Sequence, residues 1–183
     1  MLRVAEHFKA AKFHLVGLSM GGRIARNVGL HYPGWLRSLT LADTSPGFDA
    51  LSPEQVRRFV SERKARTPET LRRLLGKNPR PEAYQALMES FAATHPESYV
   101  KTIEASVAHD RASPLEDIRV PTLVITGTED QVYPPAMAHD MARRIPGAKL
   151  AEIEGAGHMS NLEQPERFSK VLFEFIDRQE KAS

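Results

Sequence analysis

The sequence predicts an α/β fold: a mainly parallel sheet of about four strands with flanking helices and a helical insertion between two of the strands. Three observations predict it. Short apolar runs bounded by turn residues recur along the chain, amphipathic stretches separate them, and the alternation breaks once, between about Pro46 and Asp117. A length of 183 residues suffices for one domain with a real core. The chain therefore reads as a single domain, with a core formed by 1–45 and 118–183 and a helical cap over about 46–117.

Phe13 to Leu18, Leu36 to Ala42 and Val120 to Thr126 read as buried parallel strands, being short, apolar and without alternation. Lys149 to Glu154 alternates, as a half-buried strand nearer an edge does. Helical patterns cover Arg3 to Ala11, Met20 to His31, Pro135 to Arg144 and Pro165 to Arg178, the last with Phe168, Val171, Leu172 and Phe175 at helical spacing. In the insertion four helix starts follow one another as Pro-Glu pairs, at Pro53, Pro68, Pro81 and Pro96. Proline suits the first helical position and glutamate the positive end of the helix dipole. Ser52 and Gln55 complete a capping box for the first of these helices. Val56, Phe59 and Val60 are expected to bury one face of it, and Tyr84, Leu87, Met88 and Phe91 one face of the third.

Composition narrows the function classes. Hydrophobic content of 41% and charged content of 26% are globular values and argue against disorder. No apolar run is long enough to span a bilayer, and the first residues lack a secretory signal. With no cysteine there is no disulfide and no thiolate chemistry, which fits a cytoplasmic chain. Between Arg57 and Arg80 nine Lys or Arg residues face only Glu62 and Glu69. The plain reading is a solvated helical surface; the sharper one is a basic rim that attracts an anionic substrate. Nucleic-acid binding is disfavoured, because no aromatic residues are interleaved with the basic ones.

Gly17-Leu18-Ser19-Met20-Gly21-Gly22 sits where a strand ends and a helix starts. A serine in that tight turn needs glycine at the flanking positions, and the turn lifts its hydroxyl above the sheet. The following N–H, that of Met20, would face a developing oxyanion. The spacing is neither a dinucleotide fingerprint nor a phosphate loop, and no cofactor or metal is called for. A serine needs a base, and the base an orienting acid. Of seven histidines, His158 lies on the glycine-rich loop Glu154-Gly155-Ala156-Gly157-His158 past the last strand and is the expected base. His14 reads as a satisfied strand residue; His7, His31 and His139 fall on helices, and His95 and His109 in the insertion. Asp130, in the loop after the third strand, is the leading acid. Asp43, which closes the second strand, is the alternative, and Glu129 is expected to point elsewhere.

Ser19, Asp130 and His158, in that chain order, resemble the α/β-hydrolase family, and within it the oxoadipate enol-lactonases. Further marks are Leu39-Thr40-Leu41-Ala42-Asp43-Thr44, Val120-Pro121-Thr122-Leu123-Val124-Ile125 and Asn161-Leu162-Glu163-Gln164-Pro165. The resemblance implies a carboxylic ester or lactone as substrate and an acyl-enzyme intermediate. Ser19 argues against the epoxide hydrolases and haloalkane dehalogenases of the same fold, which carry aspartate at the elbow. Carbon–carbon bond hydrolases, esterases and perhydrolase-like members stay open.

The chain departs from that family at its front, where one helix and one strand precede Ser19 instead of several strands. The expectation is a truncated sequence, a sheet completed across a homodimer, or an enzyme working with half an oxyanion hole. Loss of one oxyanion donor typically costs on the order of a hundredfold or more in rate. A catalytically weak scaffold serving as an interaction module is therefore the alternative function.

Overall fold

Among the described residues, four strands form one sheet in the order β1-β2-β3-β4, and every neighbouring pair is parallel. They are β1 (Phe13–Leu18), β2 (Leu36–Ala42), β3 (Thr122–Gly127) and β4 (Lys149–Ile153). The computed structural model describes residues 2–47, 51–65, 67–109 and 114–181. Parallel neighbours need crossovers, and these are supplied by α2 (Met20–His31), by the long helical segment after β2, and by α7 (Pro135–Arg144). All six residues of β3 are buried, as a central parallel strand covered on both faces requires. One core face packs Leu15, Leu39, Leu41 and Val124 against Ala25 and Val28 of α2 and Met141 of α7. The other packs Ala42, Leu123, Ile125 and Ile153 against Phe168 and Phe175 of α9 (Pro165–Lys181). In α9, Val171 and Leu172 are partly buried against this cluster, completing the face expected from their spacing.

Strand and helix limits move in places. The third strand begins at Thr122 and not Val120, because Pro121 has no N–H to give the ladder. The first helix, α1 (Leu2–His7), stops short of Ala11: Lys9 takes a φ of 51°, and its N–H and that of Ala10 close back onto Glu6 and Ala5 carbonyls. The last helix runs to Lys181, beyond the expected Arg178.

Among the described residues, four helices connect β2 to β3: α3 (Pro53–Ala65), α4 (Pro68–Arg72), α5 (Pro81–Ala93) and α6 (Pro96–His109). Each begins at the proline of a Pro-Glu pair, and the Ser52–Gln55 capping box is closed in both directions at 2.7 and 3.2 Å. In α5, Leu87 is buried, and Tyr84, Met88 and Phe91 pack around it with Leu71, Leu74 and Leu75. The apolar face expected on α3 is only half-buried at Val56, Phe59 and Val60; its buried residue is Arg63. α8 (Ser160–Glu163) is a single turn that leads from the His158 loop into α9.

The outer edge of β1 has no strand against it among the described residues, and Val16 on that strand is 42% exposed. Phe8, Val4 and Ile24 nearby in sequence are exposed as well. His14, on the same strand, is held by Ser38 Oγ at 2.7 Å and Glu180 at 2.6 Å, as a satisfied half-buried histidine should be.

Candidate active site

Ser19 stands between β1 and α2 with φ 54° and ψ −117°, a backbone conformation that L-residues avoid. Its strain is held by three contacts. The Ser19 N–H donates to the Ala42 carbonyl at 2.9 Å, its carbonyl accepts from Thr44 Oγ1 at 2.6 Å, and the same carbonyl accepts the Gly22 N–H at 3.0 Å. A Cβ on Gly17 would run into the Gly21 carbonyl, and one on Gly22 would lie 2.6 Å from the Thr44 side chain. A Cβ on Gly21 would meet nothing within 4 Å. The steric demand expected at both flanks therefore holds at Gly17 and Gly22 and fails at Gly21. Met20 opens α2, so its N–H has no acceptor within the helix.

The three residues singled out by chain order come together. His158 Nε2 lies 2.8 Å from Ser19 Oγ, and His158 Nδ1 lies 2.9 Å from Asp130 Oδ2. Asp130 and His158 are buried and Ser19 is half-buried. The other Asp130 oxygen accepts the N–H groups of Val132 at 2.7 Å and Tyr133 at 3.0 Å, so this carboxylate is fully engaged as an anion. An ionised acid makes Nδ1 the donor of the His158–Asp130 bond and leaves Nε2 to accept from the serine hydroxyl.

Asp43 is placed close by but is bonded elsewhere. It takes a φ of 45°; its Oδ1 accepts the Gly127 N–H at 3.0 Å, and its Oδ2 accepts Ser160 Oγ at 2.6 Å and Ser160 N–H at 3.2 Å. Burial pushes its carboxyl up to about 7, against the lowering pull of His158 and the Ser160 hydroxyl. Asp43 thus ties the end of β3 to the start of α8, the turn that follows His158. Glu129 turns away, as expected, and accepts the Lys77 N–H at 2.5 Å.

Further residues shape the site that motif reading passed over. Glu163 is buried and bridges the N–H of Gly76 and that of Gly157, each at 2.7 Å, and burial raises its carboxyl. Met159 N–H donates to the Leu74 carbonyl at 3.2 Å, so the α4–α5 turn is fastened directly to the His158 loop. The Tyr133 ring meets the His158 ring edge-on at 5.4 Å, and its hydroxyl accepts from Arg23. The Asn161-Leu162-Glu163-Gln164-Pro165 stretch was the sequence signal nearest Glu163; nothing marked Tyr133 beyond its place three residues after Asp130.

The basic segment is mostly consumed by local pairs. Arg58 and Arg73 both bind Glu62 at 2.9 Å, Lys64 binds Glu104 at 2.6 Å, and Arg72 caps carbonyls at Gly76 and Lys77 at 2.7 Å. Arg66 lies outside the described residues. Arg63 differs from these in being buried and set over the Phe59 ring at 5.2 Å.

A strained serine on a strand-to-helix turn, over a parallel sheet and backed by histidine and aspartate, defines a hydrolase-type α/β architecture. The chain belongs to the alpha/beta hydrolase family, whose model matches residues 2–171. It is 32% identical over 179 residues to the polyketide synthase ThaQ of Burkholderia thailandensis, covering 89% of this chain and 8% of that protein. It is 28% identical over 189 residues to a 2-hydroxy-6-oxononadienedioate/2-hydroxy-6-oxononatrienedioate hydrolase of Burkholderia vietnamiensis, covering 96% of this chain and 66% of that one. Among solved structures, the enol-lactonase of Burkholderia xenovorans superposes with a TM-score of 0.83 at 26% identity, over 96% of this chain and 70% of the other. The chain thus spans a small part of the synthase and about two thirds of the hydrolases. No helix among the described residues is long and apolar enough to cross a membrane.

Proposed function

We propose that this chain is a serine hydrolase of small carboxylic esters or lactones, acting through an acyl-enzyme on Ser19. The observation that carries the reading is the continuous line Ser19 Oγ–His158 Nε2 at 2.8 Å and His158 Nδ1–Asp130 Oδ2 at 2.9 Å. His158 takes the Ser19 proton as Oγ bonds to the substrate carbonyl carbon, and the Met20 N–H faces the oxygen that becomes negative. The imidazolium then protonates the departing alkoxide, and the carbon–oxygen bond breaks. Water repeats the sequence in reverse order of groups and frees Ser19. Asp130 stays ionised throughout and stabilises the imidazolium. The helical segment from about 46 to 117 serves as a cap over this end of the sheet, in line with its fastening to the His158 loop through Glu163 and Met159.

Related proteins named as an enol-lactonase and as a dienedioate hydrolase support the ester or lactone class. An anionic substrate is favoured, since basic residues line the cavity beside Asp130. Nucleic acid and membranes are not proposed as partners. A fluorophosphonate probe tests the reading directly: labelling of the folded wild-type chain and none in Ser19→Ala is expected, with loss of short-ester hydrolysis. A folded wild-type chain that stays unlabelled overturns it.

A second reading rests on the apolar edge of β1, which has no strand against it among the described residues. On it the chain is a weak or inactive hydrolase scaffold that pairs through this edge. A homodimer that completes the sheet there is the form we favour for the folded protein. Light scattering is expected to give twice the chain mass at micromolar concentration; a monomer overturns the dimer.

A further inference from the structure

The loop that carries His158 packs backbone on backbone against two other segments. A Cβ on Gly127, at the end of β3, would run into the Ala156 and Gly157 carbonyls, and one on Gly157 would run into the Gly76 nitrogen and the Leu75 backbone. One on Gly76 would lie 2.6 Å from the Gly155 carbonyl. The head of the Asp130 loop, the His158 loop and the α4–α5 turn thus form three layers in close contact, with the base in the middle one.

Polar ties join the His158 loop to the α4–α5 turn just before and just after the base. Ahead of it, the Gly157 N–H donates to Glu163 Oε1 at 2.7 Å, and the other oxygen of that carboxylate accepts the Gly76 N–H at 2.7 Å. Behind it, the Met159 N–H donates to the Leu74 carbonyl at 3.2 Å. The turn itself is braced, because Arg72 donates to the Gly76 and Lys77 carbonyls at 2.7 Å and Glu129 accepts the Lys77 N–H at 2.5 Å. Burial works against a charge on Glu163, while the two N–H groups and Arg72 work for it. A carboxylate with one oxygen on each segment fixes their spacing, and each tie is of the stronger, charge-assisted kind.

We infer that Glu163 is a positioning residue for the base: by tying the His158 loop to the α4–α5 turn, it holds His158 Nε2 in reach of Ser19 Oγ. This rests on the hydrolase reading above and extends its machinery into the helical insertion. The 2.8 Å contact between base and nucleophile tolerates little displacement, since small errors of placement cost rate steeply. The turn and the base loop move as one unit, because the turn cannot lift without taking the Gly76 N–H off Glu163 and loosening Gly157.

Glu163→Gln keeps one accepting oxygen but turns an amide donor toward the other glycine N–H, so one tie becomes a repulsion. On a short ester, kcat is expected to fall about 10- to 100-fold while KM stays within about twofold. Ser52→Ala, which weakens a helix cap elsewhere in the insertion, is expected to leave kcat unchanged. An unchanged kcat in Glu163→Gln, a change in KM alone, or an equal loss in Ser52→Ala overturns the inference. The NMR signals of the His158 ring need no turnover and separate this inference from the hydrolase reading. Assigned by their loss in His158→Gln, they are expected to shift in Glu163→Gln, and in Gly76→Ala, which pushes on the Gly155 carbonyl without changing any charge. The His139 signals should stay in place. Shifted His158 signals support the inference even if Ser19 proves unlabelled, and unchanged ones overturn it. Should both variants fail to fold, amide exchange in the wild type decides. The Gly76 and Gly157 N–H groups, held by one carboxylate, are expected to show equal protection, and a difference of more than about 10-fold overturns the inference.

Discussion

The loops that follow β2 and β3 each present a buried aspartate to the same corner of the molecule, and they use it differently. Asp130, after β3, turns one oxygen to His158 and the other to two N–H groups of its own loop. Asp43, after β2, gives one oxygen to the Gly127 N–H and the other to Ser160. Each carboxylate meets three donors, but one of those on Asp130 is His158 itself, a group able to carry positive charge. At Asp43 burial prevails over its donors, and its carboxyl rises to about 7. Proximity to His158 is common to both; the direction of the hydrogen bonds separates the catalytic acid we propose from a residue that positions the histidine loop.

The comparison breaks most directly by mutation of the acids. Asp130→Asn is expected to lower kcat/KM for a short ester by about 10³- to 10⁴-fold, as the wrong imidazole tautomer does in related triads. Asp43→Asn is expected to cost no more than about 10-fold, through a less well held His158 loop. Steady-state kinetics on both variants checks this, and a reversal of their order would move the acid to Asp43.

Stability against pH sharpens the contrast next. The carboxyl of Asp43 binds its proton more tightly in the folded chain than in the unfolded one, where it titrates at about 3.8. Between pH 3.8 and about 7 the unfolded chain gives up this proton first, so stability falls as pH rises through that window and levels off above it. The fall attributable to Asp43 is on the order of a few kcal/mol, and Asp43→Asn should remove it. Urea unfolding at pH 5 and pH 8 reads the difference between wild type and variant; a variant with the wild-type slope contradicts the assignment.

A smaller effect is expected at Ser160. Its hydroxyl is the closest donor to Asp43, at 2.6 Å, and favours the ionised form. Ser160→Ala should cost about 1 kcal/mol at pH 8 and shift the Asp43 titration further upward, followed by NMR of the carboxyl carbon. The smallest is at Gly21. Gly21→Ala has open space and should leave folding nearly unchanged, whereas Gly22→Ala meets Thr44 and should lower Tm by several degrees.

Much of the fold was legible before the structure. The four apolar runs are the four strands, and all four Pro-Glu pairs begin helices. These are local signals: strand burial leaves a composition, and proline at a helix start leaves a residue. Ser19 was legible for the same reason, because a turn of its shape needs Gly17 at its side. The start of β3 was misplaced by two residues, since Val120 is apolar and buried but precedes Pro121. Arg63 was hidden inside a basic run in which Arg58, Lys64 and Arg73 pair with nearby acids. Only the packing of α3 against Tyr133 separates it from them.

By itself the sequence determined the alternation of strand and helix, the serine turn, and the order Ser19, Asp130, His158. Those follow from backbone preferences and periodicity, which act over a few residues. The tertiary structure decided which aspartate faces His158, which arginine of the basic run is buried, and that Gly21 is free where Gly17 and Gly22 are not. Each of these depends on where atoms from distant segments come to rest. Asp43 and Ser160 are far apart in the chain and 2.6 Å apart in space. No local pattern encodes such a distance; it is set when the sheet, the helices around it and the segment between β2 and β3 settle against one another.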